Sequence, residues 1–108
     1  MSKEIKIELT NDNGETVVYK QTSVKARKVR EALKIQIDIE RDGMTVENLD
    51  KMVDYVAGIF PSSSNLDGEK IWDGLNSWEL LPTVQRIISE VMGTDGNLEE
   101  SQLQLAKP

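Results

Sequence analysis

Lys70-Ile71-Trp72-Asp73-Gly74-Leu75-Asn76-Ser77-Trp78-Glu79-Leu80-Leu81-Pro82 holds both tryptophans of the chain and a breaker pattern, Gly74 followed by Asn76-Ser77. One short apolar turn of helix must therefore end inside this stretch and another must begin. A buried indole removes ~150 to 250 Å² from water, so the stretch reads as a helix corner clamped by Trp72 and Trp78. Before the corner, Asp67 or Asn65 is placed to cap a short helix over about residues 68 to 75, which presents Ile71, Trp72 and Leu75 on one side. After it, Ser77 is placed to cap a helix from Trp78 to about Met92, with Glu79 in its first turn and Gly93 as its stop. Pro82 is early enough to be tolerated and late enough to predict a distorted first turn.

Upstream, Ser23 is a candidate cap for a helix over about residues 24 to 41 that stops at Gly43. Its apolar positions, Val24, Ala26, Val29, Ala32, Leu33, Ile35, Ile37 and Ile39, spread over roughly 220° of the helical wheel. That width predicts a helix buried on two sides. The remaining polar stripe holds Arg27, Arg30, Lys34 and Arg41, a basic ridge. Basic residues crowd the start of this helix and acidic ones its end, the reverse of what the macrodipole favours by ~0.3 to 1 kcal/mol per exposed charge. Two readings stand: the acidic half of the chain folds alongside the ridge, or an acidic partner binds there. Thr45 then caps a helix over about residues 46 to 60, ended by Pro61, with Val46, Leu49, Met52, Val53, Val56, Ile59 and Phe60 on its apolar face.

At the N-terminus, Glu4-Ile5-Lys6-Ile7-Glu8-Leu9 alternates strictly, so Ile5, Ile7 and Leu9 share one face of a strand. Asn11-Asp12-Asn13-Gly14 supplies a turn, and Thr16-Val17-Val18-Tyr19 is β-branched and aromatic. Two strands alone are marginal in water, so the apolar face of this hairpin must rest on helices. The fold class is mostly α, of α+β type: an N-terminal β-hairpin packed on a compact bundle of about four helices. Residues 1–93 form one domain, and 94–108, with Asp-Gly-Asn, Glu-Glu, two glutamines and a terminal proline, read as a disordered tail.

The chain has 108 residues, 38% of them hydrophobic, with no cysteine and no histidine. That length supports a core without disulfide or metal staples. The missing residue types remove thiol nucleophiles, histidine-based triads and nearly all zinc sites. Asp12-Asn13-Gly14 and Asp95-Gly96-Asn97 lack the alternating ligands of a calcium loop and read as turns. No glycine pattern cradles a phosphate, and no spacing nominates a catalytic pair of carboxylates. The expectation is a protein without enzymatic activity, cofactor or metal. A formal charge of -6 argues against nucleic acid as a partner. No apolar run approaches the ~18 residues of a membrane span, and no signal peptide is visible at Met1, so no membrane is expected and the cytoplasm is the expected compartment. What remains are apolar surfaces. Trp72, Leu75, Trp78 and Leu81 are either core or an exposed groove that receives a partner helix, because aromatic anchors dominate interface energetics.

The order of these segments resembles the tail assembly chaperones of long-tailed (siphovirus-type) bacteriophages and prophages of Gram-positive bacteria. The resemblance is carried by Lys6-Ile7-Glu8-Leu9 and the hairpin, then by Lys20-Gln21-Thr22-Ser23-Val24-Lys25-Ala26-Arg27-Lys28-Val29-Arg30-Glu31-Ala32-Leu33. It continues through Leu49-Asp50-Lys51-Met52-Val53-Asp54-Tyr55-Val56, Ile71-Trp72-Asp73-Gly74-Leu75 and Glu79-Leu80-Leu81-Pro82. The resemblance covers about residues 3 to 93 and implies a small, helical, non-enzymatic protein that associates with the aggregation-prone tape measure protein and is absent from the finished virion. It further implies that a frameshift-extended form recruits the tail tube protein, and it leaves room for self-association. A different class also fits the acidic composition: a phage-encoded inhibitor or DNA mimic that occupies a basic groove on a host protein.

Overall fold

The alternation at the N-terminus forms β1 (Ile5–Thr10), which pairs antiparallel with β2 (Thr16–Gln21) in the register Ile5 to Gln21, Ile7 to Tyr19 and Leu9 to Val17. The structure, a computed structural model, describes residues 4–93, so the tail expected over 94–108 lies outside the described residues. The turn is built by Asn11, whose side-chain oxygen accepts the Asn13 and Glu15 N–H groups at 2.9 and 3.0 Å. Gly14 closes it at φ +81°, where a side chain is strained. Ile5, Ile7 and Leu9 are buried, whereas Val17 and Tyr19 on the same face of β2 are half-buried. The hairpin therefore rests on the helices mainly through β1, and β2 overhangs.

Four helices follow: α1 (Arg27–Asp42), α2 (Val46–Ile59), α3 (Gly68–Gly74) and α4 (Leu80–Met92). The expected hairpin and four-helix bundle is the observed architecture. The helix buried on several sides is α2, which packs against α1, α3 and α4. Met52, Val53, Tyr55, Val56, Ala57, Ile59 and Phe60 are all buried, and Val53 and Val56 are fully so. Burying each such aliphatic side chain contributes roughly 1.5 to 3 kcal/mol. Ile71 of α3 and Val84 and Ile87 of α4, each 0% exposed, complete the centre with Ile7.

The two-sided burial expected of α1 is not found. Ala32 and Ile35 face the core, but Leu33 and Ile37 are 44% and 59% exposed. The spacing explains the difference. Ile35 and Ile37 lie ~200° apart on a helix, so a run of isoleucines two apart cannot place all of them on one face, and no element among the described residues covers the second. Val46, placed on the apolar face of α2, is 78% exposed at its first turn.

The helix starts follow local hydrogen bonding more than the serines do. Thr45 accepts the Asn48 N–H at 3.0 Å and caps α2 as expected. Ser23 does not cap α1, which starts after Ala26 without a side-chain cap. Gln21 organises that connection: its Oε1 accepts the Thr22 and Ser23 N–H groups, and its Nε2 donates to the Ile59 carbonyl at 2.9 Å. Asn48, 2% exposed, stitches the far end of α1 to α2 by donating to the Gly43 and Asp38 carbonyls at 2.8 and 3.3 Å. Gly43 takes φ +81° there, and its N–H satisfies the Ile39 carbonyl. Tyr55 joins the near end of α1, its hydroxyl donating to the Lys28 carbonyl. Burial, followed by the nearby Glu31 carboxylate, pushes the Tyr55 hydroxyl up to about 12.

Candidate functional site

The helix corner is sealed differently from the expected clamp of two indoles. Asp67 caps α3, accepting the Lys70 N–H at 3.0 Å, and this orients Ile71 into the core. Asn65, the other candidate cap, instead takes a left-handed conformation after the short 3-10 turn Ser62–Ser64. Gly74 lies so close to β1 that a Cβ there would sit 2.8 Å from the Leu9 Cβ. Glu79, not Ser77, shapes the entry to α4: its carboxylate accepts the Asn76 N–H at 2.9 Å while its own N–H donates to the Asn76 carbonyl. Trp78 is caught in that turn, ahead of the first helical residue, and is 74% exposed. α4 thus starts at Leu80, two residues later than expected, and Pro82 falls in its first turn, where the missing amide costs no intrahelical bond. Trp72 and Leu81 are 36% and 38% exposed, and Leu75 alone of the four packs against the core.

A second apolar surface lies between α1 and α4, with α2 as its floor. Ile35, Ile39, Met44, Met52 and Ile88 line a groove of about 520 Å³, with Gln36, Glu40, Gln85 and Ser89 at its edge. Neither indole lines it. Leu81 sits one turn before Gln85 on the same side of α4 and prolongs that wall. Periodicity had assigned Ile35, Ile39, Met52 and Ile88 to helix inner faces, but Met44, 43% exposed in the link after Gly43, carries no periodic signal and was missed.

The basic ridge is where the wheel put it, on the outer side of α1, with Arg27, Arg30, Lys34 and Arg41 all exposed. Arg41 is neutralised within the helix by Asp42 at 2.8 Å and Asp38 at 3.2 Å. The hydrogen bond from Arg41 holds the Asp42 carboxyl below its ordinary value. Among the described residues, Arg27, Arg30 and Lys34 form no ion pair. Among the described residues, the acidic half of the chain comes alongside the ridge at Asp54 of α2, which lines a shallow hollow with Lys34. Other carboxylates gather elsewhere. Asp12, Asp67, Glu69 and Asp73 rim a groove of about 460 Å³ between the hairpin and α3, whose walls include Leu9, Val17, Tyr19 and Gly74. Among the described residues, the single cation on that rim, Lys70, donates to the Asn65 carbonyl at 2.6 Å.

Among the described residues, no group of three or more acidic side chains is arranged to hold a metal ion, and no helix is long and apolar enough to cross a membrane. The chemistry on view is contact: a groove between helices, an exposed indole, a basic ridge and an acid-rimmed groove. No curated protein and no solved structure matches the chain. A family model described as phage tail chaperone protein matches residues 2–107, nearly the whole sequence. The chain therefore belongs to the phage tail chaperone family, and its role is that of a tail assembly chaperone.

Proposed function

We propose that this chaperone binds the tape measure protein and shields its apolar helix faces until the tail tube closes around them. The observation that carries the reading is the groove between α1 and α4, where aliphatic and methionine side chains lie beside Gln36, Glu40, Gln85 and Ser89, a mixed lining suited to an amphipathic helix. Trp78 and Leu81, exposed at the start of α4, offer a further aromatic anchor and a leucine. A long helical protein waiting for its tube presents apolar stripes that aggregate, and an acidic cover of net charge -6 keeps the complex soluble. The binding takes place in the cytoplasm of the bacterial host, and the chaperone leaves before the particle is complete. A frameshift-extended form departing from the C-terminal end would bring the tail tube protein to the same complex.

Co-expression with the tape measure protein of the same genome tests this. The larger protein should become soluble and co-purify with the chaperone. If it stays insoluble and nothing co-purifies, the reading fails.

A further inference from the structure

We propose that residues 94–108 fold back across the outer face of α1 in the same chain, their leucines covering Leu33 and Ile37 and their carboxylates pairing with Arg30 and Lys34. On the wheel of α1, Leu33, Ile37, Arg30, Lys34 and Arg27 follow one another within roughly 120° of arc. Leu33 and Ile37 are 44% and 59% exposed, and no ion pair among the described residues engages the three cations. Arg27 and Arg30 also stand at the positive end of the helix, where the macrodipole disfavours them. A segment that suits this face is acidic and carries apolar side chains.

The course of the chain brings such a segment to it. Gln85, Ile88 and Ser89 of α4 line a groove with Ile35, Ile39 and Glu40 in the later part of α1. Glu90 and Val91, by contrast, line a hollow with Thr22 and Val24, ahead of the start of α1. α4 thus runs antiparallel to α1 and delivers the chain, at Gly93, to the basic end of α1. After Gly93 come the carboxylates Asp95, Glu99 and Glu100 against one cation, Lys107, with leucines at 98, 103 and 105. An extended chain advances ~3.3 to 3.6 Å per residue, so Leu98 reaches up to ~17 Å past Gly93. The stretch of α1 from Arg27 to Ile37 is ~15 Å long, and the segment spans it. Its leucines are too sparse to pack on one another, and Leu33 and Ile37 supply the apolar partners they lack. The groove between α1 and α4 is the other surface within reach, but its charged lining residue is Glu40, which repels an acidic segment. Holding both surfaces in one chain raises their effective concentration to the order of mM, so a contact too weak to join separate molecules is populated.

The absence of cysteine allows a single spin label on the full-length chain at Ser101→Cys. In the NMR spectrum of a dilute, isotope-labelled sample, the amide signals of residues 30 to 37 should lose most of their intensity and recover when the label is reduced. Those of the hairpin turn, Asn11 to Gly14, should not change. In a second sample, spin-labelled chains without isotope are mixed with isotope-labelled wild type, and no loss is expected, because the contact lies within one chain. Arg30→Glu with Lys34→Glu, both at exposed positions, should keep the circular dichroism of the parent and abolish the loss in the first sample. Adding Glu99→Lys and Glu100→Lys to that pair should bring the loss back. No loss along α1, equal loss in the mixed sample, or loss centred on Met44 and Ile88 would each overturn the proposal. The first means a segment that does not dock, the second a contact between copies, the third an occupant of the groove. A charge swap that does not restore the contact overturns it as well. Since no tape measure protein is in the sample, the outcome is separate from that of the co-expression test.

Discussion

Asn48 shows how much of this fold hangs on a single polar side chain. It is buried, its amide donates to two carbonyls at the end of α1, and its backbone N–H is capped by Thr45. An Asn48→Leu substitution keeps much of the volume but removes both amide hydrogen bonds, leaving the Gly43 carbonyl with the Thr45 N–H alone. The expected loss is roughly 2 to 3 kcal/mol, read as a lower denaturant midpoint with little change in slope. Tyr55 makes the matching tie at the other end of α1, and its environment is visible in titration. Its hydroxyl ionises at about 12 in the fold, against an ordinary value of 10.0. A group whose folded value is raised contributes stability that is present below the unfolded value and lost as pH rises toward the folded one. Stability should therefore fall between pH 10 and 12, and the Tyr55→Phe variant should lack the late phenolate absorbance step.

At the level of elements, the corner between α3 and α4 separates what packing requires from what composition suggests. Ile71 is fully buried and Trp78 is mostly exposed, although the indole is far larger. Ile71→Ala should cost ~2 to 5 kcal/mol and Trp78→Ser less than about 0.5, in the same thermal or denaturant unfolding assay. The two glycines of α3 divide in the same way. A Cβ on Gly74 meets the Cβ of Leu9, which cannot swing aside, whereas one on Gly68 meets the movable carboxylate of Asp54 at 2.7 Å. Gly74→Ala should destabilise by ~1 to 3 kcal/mol and Gly68→Ala by clearly less. The hairpin, the four helices and the caps at Thr45 and Asp67 were legible because alternation, period and cap chemistry are local. Ser23 and Ser77 misled because neither stands where its helix starts: α1 begins after Ala26 and α4 after Glu79, each without a side-chain cap. The exposure of Leu33, Ile37 and Trp78 was not legible at all. A helical wheel gives the width of an apolar arc, but only the neighbours decide how much of it is covered.

For the whole molecule, the decisive property is that the groove between α1 and α4 is distinct from the main charged surfaces. Ile35, Ile39, Ile88, Met44 and Met52 line it together with Gln36, Glu40, Gln85 and Ser89, and the methionines are soft enough to fit varied helix faces. The charged surfaces, the ridge on α1 and the rim around α3, lie outside it. If a tape measure helix seats in this groove as proposed, apolar burial drives the contact and salt does not screen it. A pull-down repeated across a salt series should therefore retain the tape measure protein at high salt. Met44 is half-exposed within the groove and outside the core, so Met44→Asp can be made without unfolding the chain. It places a carboxylate against the docked helix and should weaken binding on the order of 100-fold, about 3 kcal/mol. Val18→Asp on the outer face of the hairpin, equally exposed but remote from the trough, should leave binding within about twofold. Loss of binding in the Val18 variant and not in the Met44 variant would move the contact from the helices to the hairpin.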